Sequence, residues 1–458
     1  MNRQSLLWIS LLTVLCSCNK PEPPKPNILF IFTDDWGFGD LGCYGNRELK
    51  TPNIDKLAGQ GTLYTQFHVT SGVCSPSRTS IITGHFPARH RVHGHFAGNE
   101  VNRKRDMPNW LNDSLECYLP KLMQDAGYLT AHYGKWHLGG GGLPHGDSSA
   151  PEPSKYGYDD TRVWNGNGPT WNGTKLWPTT RYMDEDTTWV QNSSKLAVNA
   201  AIHFLEENKG KGKPMFINLW LKDPHTPLWP SDEQKAMVPD TEEPLKTYYA
   251  VLQDADFHIG RLLNALDEIN LTENTLVLFS SDNGPEWPNK NPKTGTYHSR
   301  GITAGLRGQK RSLFQGGVNV PFIVRWPGIT PEGKRDSTTL LSTIDLFPTF
   351  CQIAGANIPD DWNPEGESIL QVLKGEKFTR SKPLFWEWRF ANPDHEDLWP
   401  EMAVRVGDWK LLKSFTTGRT ELYNIVTDRF ERNDLLLANP EKAAELEEMW
   451  MEWKAGLP

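Results

Sequence analysis

The stretch NILFIFTDDWG, residues 27–37, joins an unbroken apolar run to two adjacent carboxylates and a glycine. An apolar run without polar alternation fits a strand buried on both faces, as in a parallel sheet covered by helices. The pattern repeats along the chain: YLTAHY (128–133) runs into GKWHLG, MFINLWL (215–221) into KDPHTP, and TLVLFS (275–280) into SDNG, while PFIVRW (321–326) reads as a further strand of the sheet. Helical patterns at 119–127, 194–208 and 249–269 lie between some of these runs. The alternation predicts an α/β fold on a large, mostly parallel sheet flanked by helices. Each of the first four strands delivers ionisable or amide side chains just past its carboxyl end, where open α/β sheets bind ligands. One such coincidence would be an ordinary polar turn. Four together predict a site.

The chain has 458 residues, enough for one large domain and a smaller one with ample core. With 37% hydrophobic and 23% charged residues it has the composition of a globular enzyme, which excludes wholesale disorder. A net charge of -8 argues against general nucleic-acid binding, so no nucleic-acid partner is expected. An anionic substrate would have to meet a locally basic patch. Most of the 19 tryptophans are expected in the core, with some free to stack on sugar rings. Towards the end, PLFWEWRF (383–390), MAVRVGDWKLLK (402–413) and TELYNIV (420–426) read as antiparallel strands, and PEKAAELEEMWMEWKAG (440–456) as an amphipathic helix. The expected division is a main domain over 27–379 and a smaller C-terminal α+β subdomain over 380–458.

At the other end, MNRQSLLWISLLTVLCSC places Arg3 before an apolar run too short to span a bilayer. LCSC (15–18) resembles a bacterial lipobox, with residues 1–18 the signal peptide and Cys18 the lipidated first residue of the mature chain; an ordinary secretory signal is the plainer alternative. NKPEPPKP (19–26) reads as a Pro-rich tether. The expectation is an exported lipoprotein of the periplasm, outer membrane or cell surface, touching the membrane only through its anchor. Cys43, Cys74, Cys117 and Cys351 remain, with no CxxC and no zinc spacing. Cys43, Cys117 and Cys351 are expected to be buried inert thiols, with one bridge left open.

CSPSRTSIITG (74–84) reads as a short helix with Ser75 as N-cap, Pro76 as first helical residue and Gly84 as the stop, leaving Cys74 at its positive end. Asp34, Asp35, Asp282 and Asn283 are hard oxygen ligands of the kind that suit Ca²⁺ or Mg²⁺. DDWG or SDNG alone is more often a turn; together at strand ends they favour a divalent metal, and a flexible all-oxygen set favours Ca²⁺. A thiolate is a poor companion for such an ion. Cys74 is therefore either remote from it or not a thiol in the working protein.

CSPSR matches the C-x-P-S-R signature of the type I sulfatases, members of the alkaline phosphatase superfamily. The resemblance extends, in family order, over ILFIFTDDWGFGDLGCYG, CSPSRTSIITGHFPARH, GYLTAHYGKWHLG, DPHTP, NTLVLFSSDNG and LRGQKRSLFQGGVNVPFIVRWPG. It implies an alkaline phosphatase-like fold and a sulfatase. It implies that a formylglycine-generating maturation enzyme oxidises Cys74 to formylglycine, whose hydrate offers an oxygen nucleophile and hard ligands. One Ca²⁺ per chain would then be held by Asp34, Asp35, residue 74, Asp282 and Asn283. By the same resemblance Arg78 holds the formylglycine oxygens, and Lys135 and Lys310 bind sulfate. His137 assists the second oxygen of the diol, and His225 serves the departing sugar oxygen. Singly, these would read as a salt bridge, solvated lysines and structural histidines; they gain weight from their company.

The expected substrate is a sulfated oligosaccharide. His85, Arg89, His90, Arg91, His93, His95, Arg103, Lys104 and Arg105 form a basic cluster that is either a solvated face or a field focusing anions at the rim of the site. The Gly-, Pro- and Trp-rich stretch 139–177 reads as a surface loop bordering the pocket. The rival readings are a phosphomonoesterase or phosphonate monoester hydrolase of the same superfamily, and a catalytically silent lipoprotein that binds sulfated glycans.

Overall fold

The computed structural model describes residues 24–139, 150–164, 191–226, 228–289 and 299–458. The signal peptide with Cys18, most of the tether and most of the stretch 139–177 lie outside the described residues. NILFIF becomes the strand Asn27–Thr33, buried throughout. Its alternate side chains enter two separate cores: Ile28, Phe30 and Phe32 one, Leu29 and Ile31 the other. Burial on both faces is the physical reason that the run lacks polar alternation. The strand lies parallel to Met215–Trp220 on one side and to Thr275–Ser281 on the other. From edge to edge the sheet runs Asp160–Trp164, Leu129–Lys135, Met215–Trp220, Asn27–Thr33, Thr275–Ser281, Phe322–Arg325, Thr62–Tyr64 and Lys334–Asp336.

The sheet is mostly parallel, with one strand reversed. Phe322–Arg325 pairs antiparallel with both Thr275–Ser281 and Thr62–Tyr64. An apolar run signals burial on two faces and is silent about direction. Helices Ser193–Asn208 and Leu245–Glu268 supply one core, while Cys74–Thr83, Leu119–Asp125 and Leu346–Ala354 supply the other. Cys74, Cys117 and Cys351 are buried and Cys43 is half-buried; all four are free thiols, so no bridge forms among the described residues.

The C-terminal segment forms an antiparallel sheet in the order Leu384–Glu387, Met402–Val406, Trp409–Lys413, Thr420–Asn424, closed by the helix Pro440–Ala455. Its Phe385, Trp386, Val404 and Leu411 share the core that contains Phe30 and Ile81. Polar contacts cross the same seam. Trp386 Nε1 donates to the carbonyl of Val69 (2.8 Å), and Arg405 donates to Gln66 Oε1 (3.0 Å). Lys410 Nζ lies 2.7 Å from Glu431 Oε1 with both side chains fully buried, and Glu431 Oε2 accepts from the backbone N–H of Gln315 (2.6 Å).

Removing one partner of such a pair strands a charge in the interior. Lys410→Met is therefore expected to cost about 3–5 kcal/mol, while the double replacement Lys410→Met/Glu431→Leu recovers most of the loss. Urea unfolding of the two variants checks this. A loss under about 1 kcal/mol in the single variant would contradict the uncompensated charge.

Candidate active site

Thr33 faces Ser281 across a parallel ladder, so the residues that follow leave the sheet side by side. Asp282 N–H donates to the Thr33 carbonyl (3.0 Å), and Trp36 N–H donates to Ser281 Oγ (3.0 Å). Asp35 adopts a left-handed backbone (φ 66), turning the chain at once so that neighbouring carboxylates converge. Ligand atoms of Asp34, Asp35 and His225 lie within 4.8 Å of one another, as do those of Asp34, Cys74 and Asp282. Lys135 closes the strand Leu129–Lys135, and its Nζ bonds Asp34 Oδ2. Gly134 before it has φ 102, and a Cβ there would meet the Trp220 carbonyl oxygen at 2.1 Å. Only glycine brings the two strands together at that point.

The helix that carries the motif opens earlier than expected. Val73 is the extended N-cap, Cys74 the first helical residue, and Gly84 (φ 71) the stop. Ser75 does not cap; its Oγ accepts from the N–H of Phe96 (3.1 Å). Every residue from Cys74 to Thr83 is buried although most are polar. The hydroxyls satisfy themselves by folding back on the helix: Thr79 donates to the Ser75 carbonyl (2.9 Å), Ser80 to Ser77 (2.8 Å) and Thr83 to Thr79 (2.8 Å). Arg78 donates through Nε and Nη2 to Asp282 Oδ2 (3.0 and 2.6 Å) and through Nη1 to the Lys135 carbonyl (3.0 Å). Its hydrogen bonds thus go to a metal-ligand candidate rather than to residue 74, and Trp220 packs against its guanidinium at 5.1 Å.

Cys74 Sγ lies 3.1 Å from His137 Nδ1, and His137 Nε2 lies 3.1 Å from the Phe96 carbonyl. A carbonyl only accepts, so Nε2 carries the proton and the Nδ1 lone pair faces residue 74. Burial holds the His137 imidazole neutral, far below its ordinary pKa, and lifts the Cys74 thiol above its own. Cys74 as a cysteine is a protonated thiol. His225 is fixed the same way: its Nδ1 donates to the Thr226 carbonyl (2.7 Å), and Nε2 sits 3.8 Å from Asp35 Oδ2. Lys310 Nζ bonds both oxygens of Asp35 (2.6 and 2.8 Å).

Two further buried charges at the site are not apparent from the motifs. Lys222 Nζ donates to the His225 carbonyl (2.8 Å), and Glu286 holds Arg311 through two bonds of 2.6 Å while lying 3.8 Å from Lys310. A lysine directly after a strand that is apolar but for Asn218 is the sequence signal for the first; Glu286, just past SDNG, carries none.

The donor set fits a divalent cation. Asp34 Oδ1 and Asn283 Oδ1 are buried without a hydrogen-bond partner among the described residues. The amide is not reversed, because Asn283 Nδ2 donates to Asp35 Oδ1 (2.6 Å) and to the Gly284 carbonyl (2.8 Å). Burial favours protonation of Asp34, but Lys135, Arg78 and Lys310 outweigh it and hold the carboxyl below the usual range. Asp35 is pushed the other way, to about 7, by burial together with Asp34 and Glu286 and against Lys310. Burial and Asp34 likewise raise Asp282. Three cations face the three carboxylates, yet burial still leaves Asp35 and Asp282 above the usual carboxylate range.

Several members of the basic cluster are engaged with carboxylates outside this site. Arg89 pairs with Glu365 (2.7 Å), Arg91 with Asp106, His93 with Glu387 (3.0 Å) and Lys104 with Glu100 (2.8 Å). Of its members, His95 comes close, its ring 6.3 Å from that of His137.

The sulfatase family pattern matches residues 26–356, and that of the N-sulphoglucosamine sulphohydrolase C-terminal region matches residues 308–454. The chain is 27% identical to an N-acetylgalactosamine-6-O-sulfatase of Bacteroides thetaiotaomicron, over 94% of this chain and 93% of that protein. It is 30% identical to the N-acetylgalactosamine-6-sulfatase of Canis lupus familiaris, over 83% of this chain and 72% of that protein. The crystal structure of Ps i-CgsB in complex with k-i-k-neocarrahexaose is similar with a TM-score of 0.78 at 27% identity, covering 94% of this chain and 92% of that one. The architecture is the alkaline phosphatase-like one that the motifs implied.

A cation that takes up the unpartnered Asp34 and Asn283 oxygens should stabilise the fold. Adding a divalent cation to chelator-stripped protein is expected to raise the thermal midpoint, with about 2.7 kcal/mol gained at a hundredfold excess over Kd. Asp282→Ala and Asn283→Ala should lose that shift in scanning fluorimetry. A full shift retained by Asp282→Ala would place the ion elsewhere.

Proposed function

The chain belongs to the sulfatase family, whose members are sulfuric ester hydrolases, and from that premise we propose that it removes sulfate from sulfated oligosaccharides. We propose further that a maturation enzyme converts Cys74 to formylglycine and that Ca²⁺ is held by Asp34, Asp35, residue 74, Asp282 and Asn283. The observation that carries this reading is the setting of Cys74: a buried, protonated thiol among hard oxygen ligands, facing the lone pair of a neutral imidazole. A thiol is a poor ligand for a hard cation, whereas a hydroxyl at the same place suits both the cation and the imidazole. The names of two relatives support a sugar sulfate as substrate, since both are sulfatases of 6-sulfated N-acetylgalactosamine.

Formylglycine supplies, as its hydrate, an oxygen nucleophile and a second hydroxyl; Ca²⁺, when bound, stabilises negative charge on the sulfuryl oxygens. The residues of the chain prepare the remainder. His137 Nδ1, with its tautomer fixed by Phe96, would accept a proton from the second hydroxyl of a hydrated residue 74. Lys135 and Lys310 each keep ammonium N–H groups beyond those on Asp34 and Asp35, and these bind the sulfuryl oxygens. His225 presents Nε2 to the leaving oxygen; the negative charge of a bound ester favours the imidazolium that this role needs. Arg78 is a positioning residue that fixes the Asp282 carboxylate. All of these lie in the 27–379 segment that we assign as the catalytic domain, with 380–458 as its C-terminal subdomain. Export as a lipoprotein anchored at Cys18 would bring the enzyme to polysaccharide fragments outside the cytoplasm.

Release of sulfate from a panel of defined sulfated oligosaccharides tests the activity, and an aryl sulfate against the matching aryl phosphate separates it from phosphoester hydrolysis. Mass spectrometry of the residue-74 peptide from active protein is expected to show formylglycine, and Cys74→Ala to abolish turnover without lowering the thermal midpoint. Full activity with only unmodified cysteine would refute the nucleophile.

The role of His225 is read from leaving groups. A sugar alkoxide needs a proton and an aryl oxide largely does not, so His225→Ala is expected to slow a sugar sulfate by roughly 10²–10⁴-fold and an aryl sulfate far less. Equal losses on both would move the role to another residue.

A further inference from the structure

Away from the strand ends, the residues after Gly84 line a cleft of about 730 Å³, inside the ~300–1,000 Å³ range of small-ligand sites. It opens at the far end of the Cys74–Thr83 helix, roughly 14 Å along the helix axis from Cys74 at about 1.5 Å per residue. One wall is a ladder of flat rings. His85 stacks on Trp362 with centroids 4.6 Å apart, and on His90 at 5.3 Å. The ladder is fixed by hydrogen bonds: Trp362 Nε1 donates to the Thr83 carbonyl (2.7 Å), and His85 Nε2 donates to the Trp362 carbonyl (2.8 Å). His85 Nδ1 is then the acceptor for His90 Nε2–H at 3.2 Å. Burial keeps both imidazoles uncharged, with His90 pushed down to about 3. The positive charge of the cleft therefore belongs to the guanidinium groups of Arg89, Arg91 and Arg103, with the Asp106 carboxylate as the negative group in its lining.

Those arginines are poised rather than consumed. Arg89 gives Glu365 one contact (2.7 Å) and Arg91 gives Asp106 one, while each guanidinium has five N–H donors in a planar fork. The Arg91 and Asp106 side chains are 51% and 63% exposed, so water or a ligand anion can replace the carboxylate at little cost. A line of contacts joins the cleft to catalysis. His95 lies beside His137, and Arg105 donates to the His95 carbonyl (3.0 Å) one residue before Asp106. An oligosaccharide presents ring faces with C–H bonds and anionic substituents at intervals. Flat rings and forked cations in one rigid cleft are its complement.

We propose that this cleft is an accessory site that binds anionic sugar units of the oligosaccharide remote from the sulfate being cleaved. The inference rests on the oligosaccharide reading above, but its test does not need turnover. Isothermal titration of the full-length Cys74→Ala protein with a hexasaccharide of alternating uronate and 6-sulfated N-acetylgalactosamine gives the reference Kd. Adding Arg91→Ala/Arg103→Ala, both exposed, is expected to raise that Kd about fivefold or more. In a Cys74-containing chain the same pair should leave kcat/KM for a small aryl sulfate within about twofold, since that substrate does not reach the cleft. The desulfated hexasaccharide separates the sources of charge: a surviving arginine dependence assigns carboxylate, a lost one assigns sulfate, and either supports the site. An unchanged Kd in the double variant overturns the proposal, as does equally tight binding of a neutral N-acetylglucosamine hexamer. An equal loss on the aryl sulfate also overturns it. If the wild-type chain released no sulfate from any ester, the function would fall while the titration still decided the cleft.

Discussion

Three carboxylates, Asp34, Asp35 and Asp282, are buried together at the ends of two neighbouring strands, and the rest of the site is arranged to make that possible. Unpaired charges in such a place cost several kcal/mol each. The compensating cations come from separate stretches of chain. Arg78 arrives on a helix, Lys135 at the end of a strand, and Lys310 on a loop 275 residues from the Asp35 it contacts. The sheet sets where the carboxylates are, and each covering element supplies a positive group. Even so, the balance leaves Asp35 and Asp282 above the ordinary carboxylate range and two oxygens without partners among the described residues. Fold and site charge are one electrostatic problem.

Much of this is legible in the sequence because the chemistry clusters where strands end. Four apolar runs followed at once by polar residues locate the site, since a buried strand exposes function only at its exit. Asp34, Asp35, Asp282, Asn283, Cys74, Lys135, His137, His225 and Lys310 all meet there. Arg78 sits one helical turn after Cys74, and two of its donors go to the Asp282 carboxylate, a partner its own stretch of sequence does not reveal.

What stays hidden has physical causes. The direction of Phe322–Arg325 is absent from its own residues, because pairing is decided by neighbours. The start of the motif helix is misleading in sequence because Ser75 looks like a cap, whereas its hydroxyl bonds Phe96 from another segment. Glu286 becomes meaningful only through its contacts with Lys310 and Arg311. The arginines near residue 90 look like a field for the active site. Their carboxylate partners, Glu365 and Asp106, are distant in sequence or hidden in a charged run, and only the fold shows the pairing.

The C-terminal sheet contributes to the site without placing a described residue in it. Lys310 must hold Asp35 from a loop, and loops position charges poorly unless their backbone is tied. Here the Lys310 N–H donates to the Pro285 carbonyl (2.9 Å), and the Arg311 N–H to the Gly72 carbonyl (2.7 Å). The next anchor, the Gln315 N–H, ends on Glu431, a buried carboxylate that depends on Lys410 of the antiparallel sheet. Glu431 itself adopts a left-handed backbone (φ 54), a conformation kept only where surrounding contacts over-determine it. One buried ion pair thus braces the loop that serves another. The smaller sheet is therefore part of the machinery that sets charge at the strand ends, and loosening it would reach the active site through the position of a single ammonium group.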